Sequence, residues 1–267
     1  MGRVVFIGAG PGAADLITVR GAQRLAEADV VLFDALTDTA LRVYASKAQW
    51  VDVGKRGFSG VAHGPAAPAY DSTGQDMIIA LLVRHASEAA VVVRLKGGDP
   101  SVFGRLEEEL EALAKAGIEC EVVPGVTAAL AAAAATRRPL TRRGAGRSVS
   151  LTTAMTREGR LRASRSADTE VFYMAGKQLA ALSRRLLAAG WAADTTVSVV
   201  SRAGWPDRLH SDHRLDTLAH ATVLHAGRPT VVTVGTGAAP VTKARLHRSH
   251  ADGATEPASA SGEALKP

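Results

Sequence analysis

Apolar residues in this chain fall in short continuous runs, separated by stretches in which they recur every three or four positions. Val4 to Ile7, Val30 to Phe33, Val91 to Leu95 and Cys120 to Val123 are such runs. They are rich in β-branched residues and bounded by glycine, proline or charge, which predicts buried strands. Leu16 to Ala28, Gln75 to Ala86 and Arg105 to Ala116 carry the helical spacing between them. The alternation predicts βα units around a mainly parallel sheet, with function at the strand C-terminal ends. After Pro124 the pattern changes. An alanine-rich helix over Thr127 to Ala135 leads to Pro139, and strands follow at Ser148 to Thr152, Val171 to Met174, Val197 to Val200 and Thr230 to Val234, with a helix at Gln178 to Ala189. The fold class is therefore α/β with two α/β domains: 1–124, holding the glycine loops, and 125–240. Residues 58–74 are crowded with Gly, Pro, Ala and Ser and read as a long loop, and 241–267 lack periodicity and read as a disordered tail.

Composition narrows the chemistry. With 267 residues, 46% hydrophobic and only 4% aromatic, the chain is long enough for two aliphatic cores. Cys120 is the only cysteine, which removes an intramolecular disulfide and a thiolate-rich metal site; the histidines show no metal-ligand spacing, so no metal is expected. The start MGRVVFIGAG has no signal-peptide pattern, and the alanine-rich run is too short to span a bilayer, so a cytoplasmic protein without membrane contact is expected. The net charge of +6 favours an anionic partner. The basic doublets lack interleaved aromatics, so a nucleic-acid partner is not expected.

Two glycine motifs follow strands. Gly8-Ala9-Gly10-Pro11-Gly12 with Ala13 satisfies the dinucleotide fingerprint G-x-G-x-x-A, and Asp34 closes the next strand where a ribose-binding acid would stand. Pro11 argues the other way, because it removes a backbone donor from the turn that should cradle a pyrophosphate. This loop alone leaves both readings open. The second motif, Arg94-Leu95-Lys96-Gly97-Gly98-Asp99-Pro100, ends a strand in paired glycines and a carboxylate. Glycines there let a ligand lie against bare backbone, and Asp99 can accept hydrogen bonds from an amine or a ribose hydroxyl; the alternative is an Asp-Pro cap on the next helix.

These motifs, taken with VFIGAGPG (Val5 to Gly12), ADVVLFD (Ala28 to Asp34), VGKR (Val53 to Arg56), Phe103 to Arg105, VVPGVTA (Val122 to Ala128), PLTRR (Pro139 to Arg143) and FYM (Phe172 to Met174), resemble the tetrapyrrole methylase family in order and spacing, from about Arg3 to Val234. The resemblance implies two α/β domains of the class III methyltransferase type with the active site in the cleft between them, and a homodimer. It implies S-adenosyl-L-methionine as cofactor, leaving as S-adenosyl-L-homocysteine, and C-methylation of uroporphyrinogen III at two ring carbons to give precorrin-2, which feeds sirohaem, cobalamin or haem d1 synthesis.

Carried over by position, the cofactor would touch Pro11, Gly97, Gly98, Asp99, Val102, Thr127, Ala128, Met174 and Ala203. Asp34 and Lys55 match a proton acceptor and donor, and Arg105, Glu108 and Arg143 match residues that grip or deprotonate the macrocycle. Arg105 is counted with both groups. Cations suited to the substrate carboxylates are Lys55, Arg56, Arg105, Arg142 and Arg143. Asp34 has a structural alternative as helix cap for Thr37 to Tyr44, and Met174 as ordinary core. The chain departs from the family at Leu106-Glu107, where Gly-Gly is usual, in the long 58–74 segment, and at Ser201-Arg202-Ala203-Gly204, where an acidic-Asn-Gly segment is usual. Rival readings are a methylase of another corrin intermediate such as precorrin-2 or precorrin-4, a dinucleotide-dependent oxidoreductase, and a basic nucleic-acid-binding module.

Overall fold

A computed structural model describes residues 1–54, 74–155, 161 and 163–241. The expected 58–74 loop, apart from Gly74, and all of the tail beyond 241 lie outside these residues, as do Lys55 and Arg56. The first sheet holds β1 (Arg3–Gly8), β2 (Val30–Phe33), β3 (Gln49–Asp52), β4 (Val91–Lys96) and β5 (Cys120–Val123) in the order β3-β2-β4-β1-β5, with every pairing parallel. Alternate side chains along these strands face opposite layers. Val4, Phe6, Leu32 and Val92 pack with α2 (Gln75–Glu88) and α3 (Leu106–Lys115), while Val5, Ile7, Val31, Val93 and Leu95 pack with α1 (Val19–Ala26) and the 3-10 segment Thr39–Ala45. Burial on both faces is why these strands read as unbroken apolar runs.

The second sheet holds β6 (Val149–Thr153), β7 (Thr169–Tyr173), β8 (Thr196–Ser201), β9 (Leu209–Arg214) and β10 (Thr230–Gly235) in the order β6-β7-β10-β8-β9. Only β6 and β7 run parallel; the other pairings are antiparallel. One face packs on α5 (Leu179–Ala188) through Leu179, Leu182 and Leu186. The other face receives α4 (Ala128–Thr136), whose Ala129, Ala131 and Ala132 meet Val171, Tyr173, Val200 and Val231. Small side chains let that helix lie close to the sheet. A four-residue helix, α6 (Ala221–Leu224), follows β9.

Four expectations need correction. Strands β3 and β9 were not expected, because both are sheet edges with exposed, polar positions: QWVD and LHSDHR. The helix expected from Leu16 begins only at Val19, capped by Thr18 Oγ1 accepting from Gly21 N at 3.0 Å, so it does not open directly from the glycine loop. The Thr39–Ala45 segment is capped by Asp38, whose carboxylate accepts from Ala40 N at 2.9 Å, and Asp34 is not its cap. Arg142 is committed to the backbone carbonyls of Ala239 and Pro240, so it holds chain segments together instead of reaching for a substrate.

Candidate active site

Neighbouring strands β1 and β4 send the chain off in opposite directions, one towards β2 and the other towards β5. A crevice opens at their C-terminal ends where this happens. The two glycine corners meet in it. Gly98 N donates to Gly10 O at 2.7 Å and Gly10 N to Gly98 O at 3.3 Å. A third glycine completes the contact: a Cβ on Gly8 would stand 2.5 Å from Gly125 Cα, and one on Gly125 only 2.3 Å from Gly98 O. Backbone approach this close requires glycine on each side.

The corners settle how the first loop is used. Ala9 N donates to Lys96 O, Gly10 N to Gly98 O and Ala13 N to Gly204 O, and Pro11 has no N–H. Three of the four amides from Ala9 to Ala13 are thus bound within the protein, and only a three-residue 3-10 turn, Ala14–Leu16, follows before α1 begins at Val19. A pyrophosphate cradle needs those donors, so the dinucleotide fingerprint is met in letters and not in geometry.

A cavity of about 190 Å³ lies against the corners. Its wall includes all nine residues matched to cofactor contacts: Pro11, Gly97, Gly98, Asp99, Val102, Thr127, Ala128, Met174 and Ala203. Sequence reasoning missed Leu36, Phe103, Tyr173, Trp205 and the Pro229–Val231 stretch, which also line it. The remaining signal was their place at or near strand ends: Tyr173 closes β7 and Thr230 opens β10. A Cβ on Gly97 would approach only Leu36 Cβ, at 3.4 Å, and one on Gly98 nothing nearer than Thr127 Cα at 4.0 Å, so bare backbone forms this side of the wall. Thr127 Oγ1 and the Tyr173 hydroxyl share a hydrogen bond of 2.7 Å; burial pushes the Tyr173 phenol above its ordinary pKa, with the Thr127 bond opposing.

Asp99 ties the corner together. One carboxylate oxygen accepts from Ser101 N at 2.8 Å and the other from Gly125 N at 2.9 Å, so Asp99 braces its own turn on the cavity wall and does not cap the next helix, α3, whose N-cap is Arg105. Five non-glycine residues among those described have positive φ: Phe103, Arg105, Arg137, Met174 and Arg202. Three of these line the cavity. Each left-handed corner costs roughly 1–2 kcal/mol, a strain that surrounding packing sustains where function requires it.

Asp34 stands at the end of β2 beside the cavity-lining Leu36, its side chain 15% exposed. Arg94 Nη2 donates to its Oδ1 at 2.6 Å. Arg94 is itself fully buried and held by Glu109 Oε1 and the carbonyls of Leu32 and Leu95. Lys96 Nζ donates to Glu109 Oε2 at 2.7 Å, and Gln75 Nε2 to Glu109 Oε1 at 3.1 Å. Burial, helped by the Arg94 charge and opposed by Glu109, lowers the Lys96 ammonium to about 8. Two cations inside the apolar run VVVRLK were the sequence signal for this cluster. Buried charges persist only when paired in this way.

Arg105 and Glu108 are brought together, with Nη2 to Oε2 at 2.5 Å and Nε to Oε1 at 2.8 Å, and both are exposed. That bond raises the Arg105 pKa further. Arg143 is exposed on the turn closed by the Arg142–Gly146 bridge. Neither Arg105 nor Arg143 lines the cavity, and Lys55 lies outside the described residues. Among the described residues no acidic, histidine or cysteine group could hold a metal, and no helix is long and apolar enough to cross a membrane.

Comparison with known proteins agrees with this architecture. The family profile described as Tetrapyrrole (Corrin/Porphyrin) Methylases matches residues 3–219. A uroporphyrinogen-III C-methyltransferase of Pseudomonas aeruginosa is 43% identical over 206 residues, covering 76% of this chain and 80% of that protein. Another, from Synechocystis sp., is 38% identical over 244 residues, covering 88% and 89%. Among solved structures, a uroporphyrin-III C-methyltransferase from Thermus thermophilus complexed with S-adenosylhomocysteine superposes with a TM-score of 0.73 at 34% identity, covering 88% of this chain and 97% of that one. Paired glycine corners whose amides are bound within the protein, together with these matches, lead to one assignment: the chain belongs to the tetrapyrrole methylase family.

Proposed function

We propose that this chain transfers methyl groups from S-adenosylmethionine to two ring carbons of uroporphyrinogen III, giving precorrin-2. The observation that carries the reading is the pair of interlocked glycine corners. They spend their amides on each other and turn bare backbone towards an apolar cavity, which suits a nucleoside without phosphates. The relatives described above act on the same substrate by name.

When bound, the cofactor supplies a methyl group already activated by a sulfonium. The protein's own part is alignment and water exclusion, since such a transfer needs little covalent help. Gly97, Gly98 and Pro11 would hold the nucleoside side, with Thr127, Ala128, Met174 and Ala203 on the facing wall. Asp34, with one oxygen fixed by Arg94, is the acceptor for the pyrrole N–H proton released as the ring carbon is methylated. Arg105 and Arg143 would orient the eight carboxylate side chains of the macrocycle, with Glu108, paired to Arg105, matched to residues that grip or deprotonate it; Lys55 is the matched proton donor. The family resemblance extends the reading to a cytoplasmic homodimer, and the single cysteine fits a reducing compartment.

The test is incubation with uroporphyrinogen III and methyl-labelled S-adenosylmethionine, followed by mass spectrometry of the tetrapyrrole. Gain of two methyl groups is expected. A protein that binds S-adenosylhomocysteine yet leaves uroporphyrinogen III unmethylated would move the assignment to a later corrin intermediate.

A further inference from the structure

The turn 202–205, between β8 and β9, replaces the segment usual in the family, and it reaches across to the first glycine loop. Trp205 N donates to Arg202 O at 3.0 Å, closing the turn, and Gly204 O accepts from Ala13 N at 2.8 Å. A Cβ on Gly12 would stand 2.6 Å from Trp205 Cδ1, and one on Gly204 would stand 2.9 Å from Pro11 Cγ. The indole therefore sits directly on a loop carried by the other sheet. Arg202 holds it from its own side: the guanidinium carbon is 4.4 Å from the ring centroid, and Nε donates to Asp207 Oδ1 at 2.8 Å. Arg202 does this from a left-handed backbone, φ 51°, which a long side chain adopts only where its contacts sustain it.

Two facts connect this contact to a ligand. Arg202 and Trp205 both line the cavity. The indole N–H groups of Trp50 and Trp191 donate to Ala45 O and Ser164 O, but that of Trp205 has no acceptor among the described residues. A half-buried indole normally finds a partner, and a nucleoside offers ring nitrogens and ribose hydroxyls as acceptors.

We infer that Arg202 and Trp205 are cofactor-binding residues that form a clasp. The indole bridges the two sheets at the cavity wall, donates its N–H to the bound nucleoside, and sets how fast the nucleoside leaves; Arg202 fixes the ring. This rests on the reading of the cavity as an S-adenosyl nucleoside site.

The probe is S-adenosylhomocysteine, with affinity measured by calorimetry and release followed with radiolabelled ligand on filters. Trp205→Leu should weaken binding by about tenfold, mostly through faster release. Arg202→Asn, which keeps a residue tolerant of the left-handed corner but removes the cation, should speed release by about threefold. Wild-type affinity and release in both variants would overturn the clasp, and if Trp205→Leu does not fold, Arg202→Asn alone decides. A wild-type protein that fails to bind S-adenosylhomocysteine at all would instead overturn the nucleoside reading itself.

Discussion

The two walls of the cavity hide their polar groups in different ways. Behind the first-sheet wall, Arg94, Lys96, Glu109 and Asp34 form an ionic cluster whose most exposed member is the Asp34 carboxylate. Behind the second-sheet wall, the cluster is made of hydroxyls and imidazoles. Fully buried His225 bonds Ser201 Oγ at 2.6 Å and Ser211 Oγ at 2.8 Å, and Ser201 bonds the cavity-lining Thr230 at 2.8 Å. The first wall keeps its charges paired behind backbone, while the second has uncharged hydroxyls and an imidazole behind it and one guanidinium, Arg202, at the cavity itself. The first is also made of backbone in contact with backbone, and the second largely of side chains.

If that contrast is right, the most damaging change belongs to the glycine corners. Gly125→Ala would drive its Cβ to 2.3 Å from Gly98 O, and should abolish S-adenosylhomocysteine binding in calorimetry and lower Tm, whereas Gly97→Ala has room for its Cβ and should fold normally. Equal behaviour of the two would remove the distinction. Next comes the ionic cluster: Asp34→Asn should cut turnover by about 10²–10⁴-fold, as expected for loss of a general base, with cofactor affinity unchanged. A parallel loss of affinity would make Asp34 a structural residue.

Asp99→Ala removes two hydrogen bonds from a charged acceptor and should weaken S-adenosylhomocysteine binding by about 10–100-fold, while Arg143→Ala should leave that affinity intact and raise the KM for the tetrapyrrole. The smallest effect belongs to the neutral cluster. Burial lowers the His225 pKa from 6.5 to about 4, so between those values the unfolded chain binds the proton and the folded one does not. Stability should therefore be full above pH 6.5 and decline as pH falls towards about 4. A thermal melt should show Tm dropping by several degrees across that window, with the slope reduced in His225→Gln; equal slopes would mean another group controls acid unfolding.

The same contrast explains what could be read from the sequence. Glycines and apolar runs announce themselves, because a backbone wall admits few residue types, and the first sheet's inner strands were visible for that reason; the nine cavity residues came instead from the family resemblance, position by position. Edge strands β3 and β9 were not, since polar alternation beside solvent resembles a loop. Arg142 looked like a substrate cation because its partners, Ala239 O and Pro240 O, lie far along the chain and only the folded structure brings them near. Trp205 was overlooked for a similar reason: its importance lies in the loop it touches, 193 residues away at Gly12.

Placement of β1 in the first sheet has a consequence for biosynthesis. It is made first, yet its neighbours are β4 and β5, and the earlier of these is complete only once residue 96 has been added. Until then a strongly apolar strand with both edges open must wait, and non-local parallel pairing is slow even afterwards. Newly made chains should thus depend on chaperone protection over their first half more than their second, where the adjacent β8 and β9 can pair as soon as they appear.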